Sequence, residues 1–132
     1  MKRISKYALL VIKNNKILLQ AEKKQKLLLL PGGKPKKGEQ HEQCLNRELK
    51  EELNTEVKEG TLNYLGRFED IAADGSSILT VWLYLGELKT RPKPRNEVKR
   101  IVWFGKKNNH ERLSPVIRNK IMPYLQVLRL IK

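Results

Sequence analysis

The spacing of apolar residues changes several times along this chain, and each change marks a new element. Tyr7-Ala8-Leu9-Leu10-Val11-Ile12 is unbroken, the pattern of a strand covered on both faces. Lys13-Asn14-Asn15-Lys16 interrupts it as a turn, and Ile17 to Ala21 returns as the second strand of a hairpin. A charged loop, Glu22 to Lys26, and an apolar run, Leu27 to Leu30, lead into Pro31-Gly32-Gly33. The period then lengthens. From His41 to Leu53 the leucines recur at 45, 49 and 53 among Glu, Gln, Lys and Arg, which predicts a helix. Gln40 is a weak N-cap for it. Asn54 stands where a left-handed residue closes a helix.

Strand character resumes at Leu62 to Asp70 and at Ile78 to Leu88, joined by a turn at Asp74-Gly75-Ser76-Ser77, so a second hairpin is predicted. Arg67 and Glu69 alternate with apolar neighbours and are expected on one exposed face. Thr90 to Arg95 is basic and proline-rich and reads as an extended loop, either lying along a phosphate chain or, the favoured reading, idle in solvent. A last strand is expected to end at Trp103-Phe104, and both tryptophans are assigned to the core or a pocket wall. Ser114-Pro115 opens a final helix whose apolar stripe is Ile117, Ile121, Leu125 and Leu128, with Pro123 forcing a kink or restart.

This order of hairpin, helix, hairpin, strand and helix predicts an α/β (α+β) architecture, a sheet with a helix on each face. A chain of 132 residues suits a single domain spanning 1–132. Its longest apolar runs are too short to cross a bilayer. The basic-then-apolar N-terminus lacks a small-residue cleavage site and is read as a strand, not a signal peptide. One cysteine, Cys44, allows no internal disulfide and suits a reducing cytoplasm. Beside Leu45, it is expected in the core. No His or Cys spacing suggests zinc. With 28 basic against 14 acidic residues the formal charge is +14, which favours polyanionic partners such as nucleotides or RNA. The bases are nevertheless scattered through nearly every loop.

The candidate chemistry lies between Pro31 and Val57. Gly32 and Gly33 leave no side chain over their turn, so a backbone carbonyl there can face a ligand. At about 100° per residue, Glu48, Glu51 and Glu52 share an arc of about 100° that flanks the leucine stripe. Arg47 precedes Glu51 at pairing distance, whereas Glu48 and Glu52 repel at the same spacing. A hard divalent cation relieves that repulsion, and Mg²⁺ is commonly held by carboxylates together with substrate phosphate. The basic loop Lys34-Pro35-Lys36-Lys37 offers charge for phosphate.

The segment resembles the Nudix box, G-x5-E-x7-R-E-U-x-E-E-x-G-U with U aliphatic, of the MutT-like Nudix hydrolases. Gly33, Glu39, Arg47, Glu48, Leu49, Glu51 and Glu52 fall on its positions. Asn54 replaces the last glycine, a mild change, and Thr55 replaces the last aliphatic residue, which is expected to weaken one packing contact. A second, shorter resemblance places Glu97 at the glutamate that precedes a strand ending in Trp and an apolar residue. The resemblance implies an α/β/α sandwich with a central mixed sheet. It implies Mg²⁺ or Mn²⁺ held by Glu48, Glu51, Glu52 and Glu97, with a Gly32 or Gly33 carbonyl assisting. Arg47 orients the carboxylates, Glu39 supports them from behind, and Lys34, Lys36 or Lys37 steadies phosphate. Glu48 or Glu97 serves as general base.

The implied activity is metal-dependent hydrolysis of a nucleoside diphosphate linked to another group. The leading substrate is a nucleoside triphosphate, oxidised ones included. The alternatives are removal of pyrophosphate from RNA 5′ ends and a module that binds nucleotide or RNA without cleaving it. A cytoplasmic monomer or homodimer with no membrane partner completes the expectation.

Overall fold

The structure is a computed structural model and describes residues 1–132. Seven strands form, β1 (Lys2–Leu10), β2 (Ile12–Lys13), β3 (Lys16–Glu22), β4 (Gly32–Gly33), β5 (Asn63–Ile71), β6 (Ser77–Leu85) and β7 (Val98–Phe104). They make two sheets, ordered β4-β1-β6-β5 and β2-β3-β7. Helix α1 spans His41–Leu53 and α2 spans Met122–Val127.

The predicted first hairpin is reduced to its tip. Ile12 and Lys13 pair with Ile17 and Lys16 around Asn14 and Asn15, both at positive φ. Beyond Val11 the two strands part, and β1 runs parallel to β6 from Lys2↔Ser77 to Leu10↔Leu85. Strands apolar on both faces also need partners on both edges. β1 finds them in β6 and β4, and β3 in β7 and β2. The strand begins at Lys2 rather than Tyr7, because this pairing carries the polar Lys2-Arg3 start as well. The second hairpin forms with a bulge between Tyr64 and Gly66, and β6 stops at Leu85, short of the predicted Leu88.

Alternation along the strands divides the core between the helices. Leu9, Val11 and Leu18 pack with Leu45, Leu49 and Leu53 of α1. Ala8, Leu10, Ile17 and Leu19 pack with Ile117, Ile121 and Leu125 on the opposite side. The three layers of the sandwich are therefore present, with a mixed central layer split into two sheets. The C-terminal helix passes through a π-turn at Ile117–Ile121, where the Met122 amide donates to the Ile117 carbonyl, and Pro123 sits in the first turn of α2. This is the restart that proline requires. The helix ends before the stripe does. Leu128 is exposed, Arg129 turns the chain at φ 58°, and Ile131 fills the buried place instead.

Helix α1 has the predicted limits, and its ends are held by groups the periodicity does not show. At the start, the Gln43 side chain accepts a hydrogen bond from the Gln40 amide at 2.9 Å, half of a capping box. At the end, Asn54 is left-handed at φ 53° and ψ 40°. The last carbonyls of a helix lack intrahelical donors. Here Lys93 N donates to Leu53 O at 2.8 Å, Arg95 N to Glu52 O at 2.8 Å, and Asn96 Nδ2 to Glu51 O at 2.5 Å. The basic loop read as idle is the clamp on this end of α1. Thr55 anchors that loop: its buried hydroxyl donates to Thr90 O at 3.1 Å and accepts from Thr90 Oγ1 at 2.8 Å. Its departure from an aliphatic residue therefore adds a polar latch.

Candidate metal and phosphate site

Helix α1 carries its acidic arc along the border of the buried leucine stripe, so Glu48 and Glu52 are half-buried while Glu51 faces solvent. Arg47 is the hub. Its Nε donates to Glu39 Oε2 at 2.7 Å and its Nη2 to Glu39 Oε1 at 2.9 Å, a two-pronged pair. Nη1 donates to Glu48 Oε1 at 2.8 Å, and Nη2 also reaches the Lys34 carbonyl at 3.0 Å. The expected Arg47–Glu51 pair is the longest of these, at 3.7 Å. The Arg47 guanidinium and the Lys36 amide hold the Glu39 carboxyl down at about 2. Glu39 thus stays ionised and fixes Arg47, which in turn fixes Glu48.

The paired glycines have different tasks. Gly32 has φ 138°, and a Cβ there would lie 2.1 Å from the Tyr7 carbonyl of β1. Gly33 is the place where the Glu48 carboxylate rests: an added Cβ would lie 2.5 to 2.8 Å from its atoms. The Gly33 carbonyl accepts from the Cys44 thiol at 3.5 Å. Cys44 is fully buried, and burial followed by the Glu39 charge pushes its thiol up to about 11. It is a core residue, as expected, and a poor nucleophile.

Glu52 is held differently. Gln20 of β3, buried at 1% exposure, donates from Nε2 to Glu52 Oε2 at 2.9 Å and to Glu22 Oε2 at 3.1 Å. Burial drives the Glu52 carboxyl up to about 8; the Gln20 hydrogen bond opposes this, and the Glu48 and Glu22 charges add to it. Glu52 Oε1 and Gln20 Oε1 are buried and have no hydrogen-bond partner. Neither Gln20 nor Glu22 was singled out from the sequence. The signal was there: a glutamine inside the apolar strand Ile17 to Ala21, with a glutamate two residues on and so on the same face.

The structure thus brings Gly33, Glu39, Arg47 and Glu48 together, with Glu51 at their rim and Glu52 tied to the sheet. Glu48 is turned to Arg47 and Glu52 to Gln20, and no three such groups converge on one point. Lys34 and Lys36 join the site through backbone, the Lys34 carbonyl accepting from Arg47 and the Lys36 amide donating to Glu39 Oε1 at 2.8 Å, while Lys34, Lys36 and Lys37 are exposed. Glu97 is exposed just before β7 and contributes its carbonyl to the Lys23 amide at 2.9 Å; its side chain is outside the network. His41 stacks on Tyr84 with ring centres 4.8 Å apart, a contact across α1 and β6 that periodicity does not reveal. Arg67 and Glu69 share one face, as expected, at 3.5 Å.

A divalent metal suits this donor set on the chemistry of the unpartnered atoms. Two buried oxygens without donors, beside further carboxylates, are hard ligands for a hard cation.

The NUDIX domain family profile matches residues 2–125. The chain belongs to the Nudix family and is a pyrophosphohydrolase, an enzyme type that acts on nucleoside diphosphates linked to another group with the help of divalent metal. A Nudix hydrolase from Nitrosomonas europaea superposes with a TM-score of 0.76 at 19% identity, over 99% of this chain and 97% of that one. The E. coli ORF135 protein gives 0.70 at 26%, over 98% and 94%. A MutT NUDIX hydrolase from Burkholderia pseudomallei gives 0.67 at 21%, over 86% and 88%. A bifunctional NMN adenylyltransferase/ADP ribose pyrophosphatase from Francisella tularensis, complexed with AMP and Mn ion, gives 0.65 at 22%, over 96% of this chain and 42% of that one. No curated protein matches the chain.

Proposed function

We propose that this enzyme hydrolyses a phosphoanhydride bond of a nucleoside triphosphate, oxidised forms included, using Mg²⁺ or Mn²⁺. The observation that carries the reading is the Glu39–Arg47–Glu48 brace set beside Glu52, whose carboxylate retains an unpartnered oxygen. Glu48, Glu51 and Glu52 hold the metal, with the Gly32 or Gly33 carbonyl as an added donor. When bound, a divalent cation would supply positive charge against the diphosphate and lower the pKa of a water. Arg47 keeps Glu48 from swinging away, and Glu39 keeps Arg47 in place. Glu48 or Glu97 takes the proton of the attacking water.

A second reading, pyrophosphate removal from RNA 5′ ends, is favoured by one feature. Lys23, Lys24, Lys26, Lys99, Arg100 and Arg112 line a groove whose only carboxylate is Glu22. That groove begins where Glu22 meets Gln20, at the edge of the acidic site.

The test is a panel of nucleoside triphosphates, oxidised triphosphates, sugar-linked nucleoside diphosphates and 5′-triphosphate RNA, incubated with Mg²⁺ and assayed for phosphate and pyrophosphate. Turnover of a triphosphate is expected. Glu52→Gln should lower it by at least about a hundredfold, more than loss of a supporting contact costs, with the fold intact by circular dichroism. Near-normal turnover of that variant with metal present would overturn the reading.

A further inference from the structure

β7 is an outer strand: β3 lies along one side of it, and no strand lies along the other. The bonding of β3 shows which groups of β7 face outward. The Gln20 amide donates to the Leu29 carbonyl at 2.8 Å, the Gln20 carbonyl accepts from the Leu29 amide at 3.1 Å, and the Leu18 amide donates to the Val11 carbonyl at 3.0 Å. Leu18 and Gln20 therefore turn their backbone groups away from β7. In an antiparallel ladder the residues opposite them turn away as well. Those residues are Trp103 and Ile101. Their N–H and C=O groups point to the open side, and no loop backbone bonds to them. They stand two residues apart, the repeat at which an extended chain presents its own groups. The other long outer strand, β5, is closed at its bulge, where the Tyr124 hydroxyl donates to the Leu65 carbonyl at 3.1 Å.

The side chains around the open edge select what can pair with it. Lys99 and Arg100 are exposed and form no ion pair. Ile101 and Trp103 are half-buried and line a groove of about 870 Å³ together with Lys89 and Arg91. Cations on an outer strand repel a second copy of that strand, and the formal charge of +14 opposes self-association at longer range. The same cations attract a strand that carries carboxylates. We propose that the open edge of β7 binds an extended acidic segment of a partner protein, which adds to the β2-β3-β7 sheet as a further strand. Backbone bonds to Ile101 and Trp103 supply affinity, and alternate side chains supply choice. Apolar residues of the partner fall on the Ile101–Trp103 face and its carboxylates on the Arg100 face. The surface is independent of the phosphohydrolase reading.

The test uses the full chain and a capped synthetic peptide of alternating Glu and Val, with amide hydrogen exchange read residue by residue by NMR. Saturating peptide is expected to slow exchange of the Ile101 and Trp103 amides at least about tenfold, and its binding should weaken with salt. The same peptide N-methylated at alternate residues keeps its charge and loses its ladder donors; it should bind at least about tenfold more weakly. Ile101→Pro removes an outward N–H without breaking a bond to β3, a place where an outer strand tolerates proline, and should abolish the protection at Trp103. Lys99→Glu with Arg100→Glu reverses the charge and leaves the backbone alone; it should weaken the peptide at least about tenfold and favour its Lys/Val counterpart. Unchanged exchange at saturating peptide overturns the proposal. Equal binding of the N-methylated peptide overturns strand addition, and protection of the same amides by single-stranded RNA but not by peptide assigns the edge to nucleic acid instead. Nucleotide turnover is unaffected by any of these outcomes.

Discussion

Glu39 and Glu52 lie within one site and are driven in opposite directions by their neighbours. Glu39, paired with Arg47, is held down at about 2, and Glu52, buried against Gln20, is raised to about 8. The contribution of Glu39 to stability is present above its ordinary value of 4.5 and is lost as pH falls toward 2. The raised carboxyl has the reverse sign. The folded chain favours its protonated form, so its contribution is complete below 4.5 and is lost as pH rises through about 8. Metal-free wild type should therefore lose melting temperature between about pH 5 and 8 relative to Glu52→Gln. Saturating Mg²⁺ should reverse that difference, since the ion binds the carboxylate form. Melting curves of the two proteins that run parallel across this interval would remove burial as the force acting on Glu52.

At the level of elements, the glycine turn separates folding from chemistry. Gly32→Ala places a Cβ on the Tyr7 backbone at a φ of 138°, strain worth about 1–3 kcal/mol before any clash is counted. Gly33→Ala meets only the movable end of Glu48. The first variant should melt lower, whereas the second should melt close to wild type and lose most activity. Equal effects of the two on melting would mean that Glu48 is not seated on Gly33. Helix α1 was legible to the residue because its leucine stripe and its Asn54 stop are local signals. The devices that fasten it were not. Gln43 at the start reaches back three residues to Gln40, a capping signature and not a periodicity, while Thr55 and the Thr90–Asn96 loop at the end act through partners 35 to 45 residues apart, which no periodicity encodes. Pro123 announced a break in the last helix, but whether the stripe ended at Leu128 or Ile131 depended on where the chain turned at Arg129.

For the molecule as a whole, the order of elements was enough to predict a layered sandwich. It was not enough to show that β1 and β3 belong to different sheets, because edge partners far along the chain decide that. Charge is a property of the same scale. Six cations around the groove beside Glu22 predict that single-stranded RNA binding weakens with salt at a log–log slope of about −4, near −0.7 per phosphate contacted. Fluorescence anisotropy across a salt series checks this, and a flat dependence would confine the enzyme to small substrates. The acidic turn of α1 was also readable in advance, as residues and spacing; its dependence on Gln20 emerged only when β3 was laid against the helix. The central claim is that this turn gathers a divalent cation, and crystals soaked in Mn²⁺ test it most directly through anomalous scattering. A peak within bonding distance of Glu52 and at least one of Glu48 and Glu51 is the predicted result. Ordered side chains with no peak beside Glu52 would contradict it.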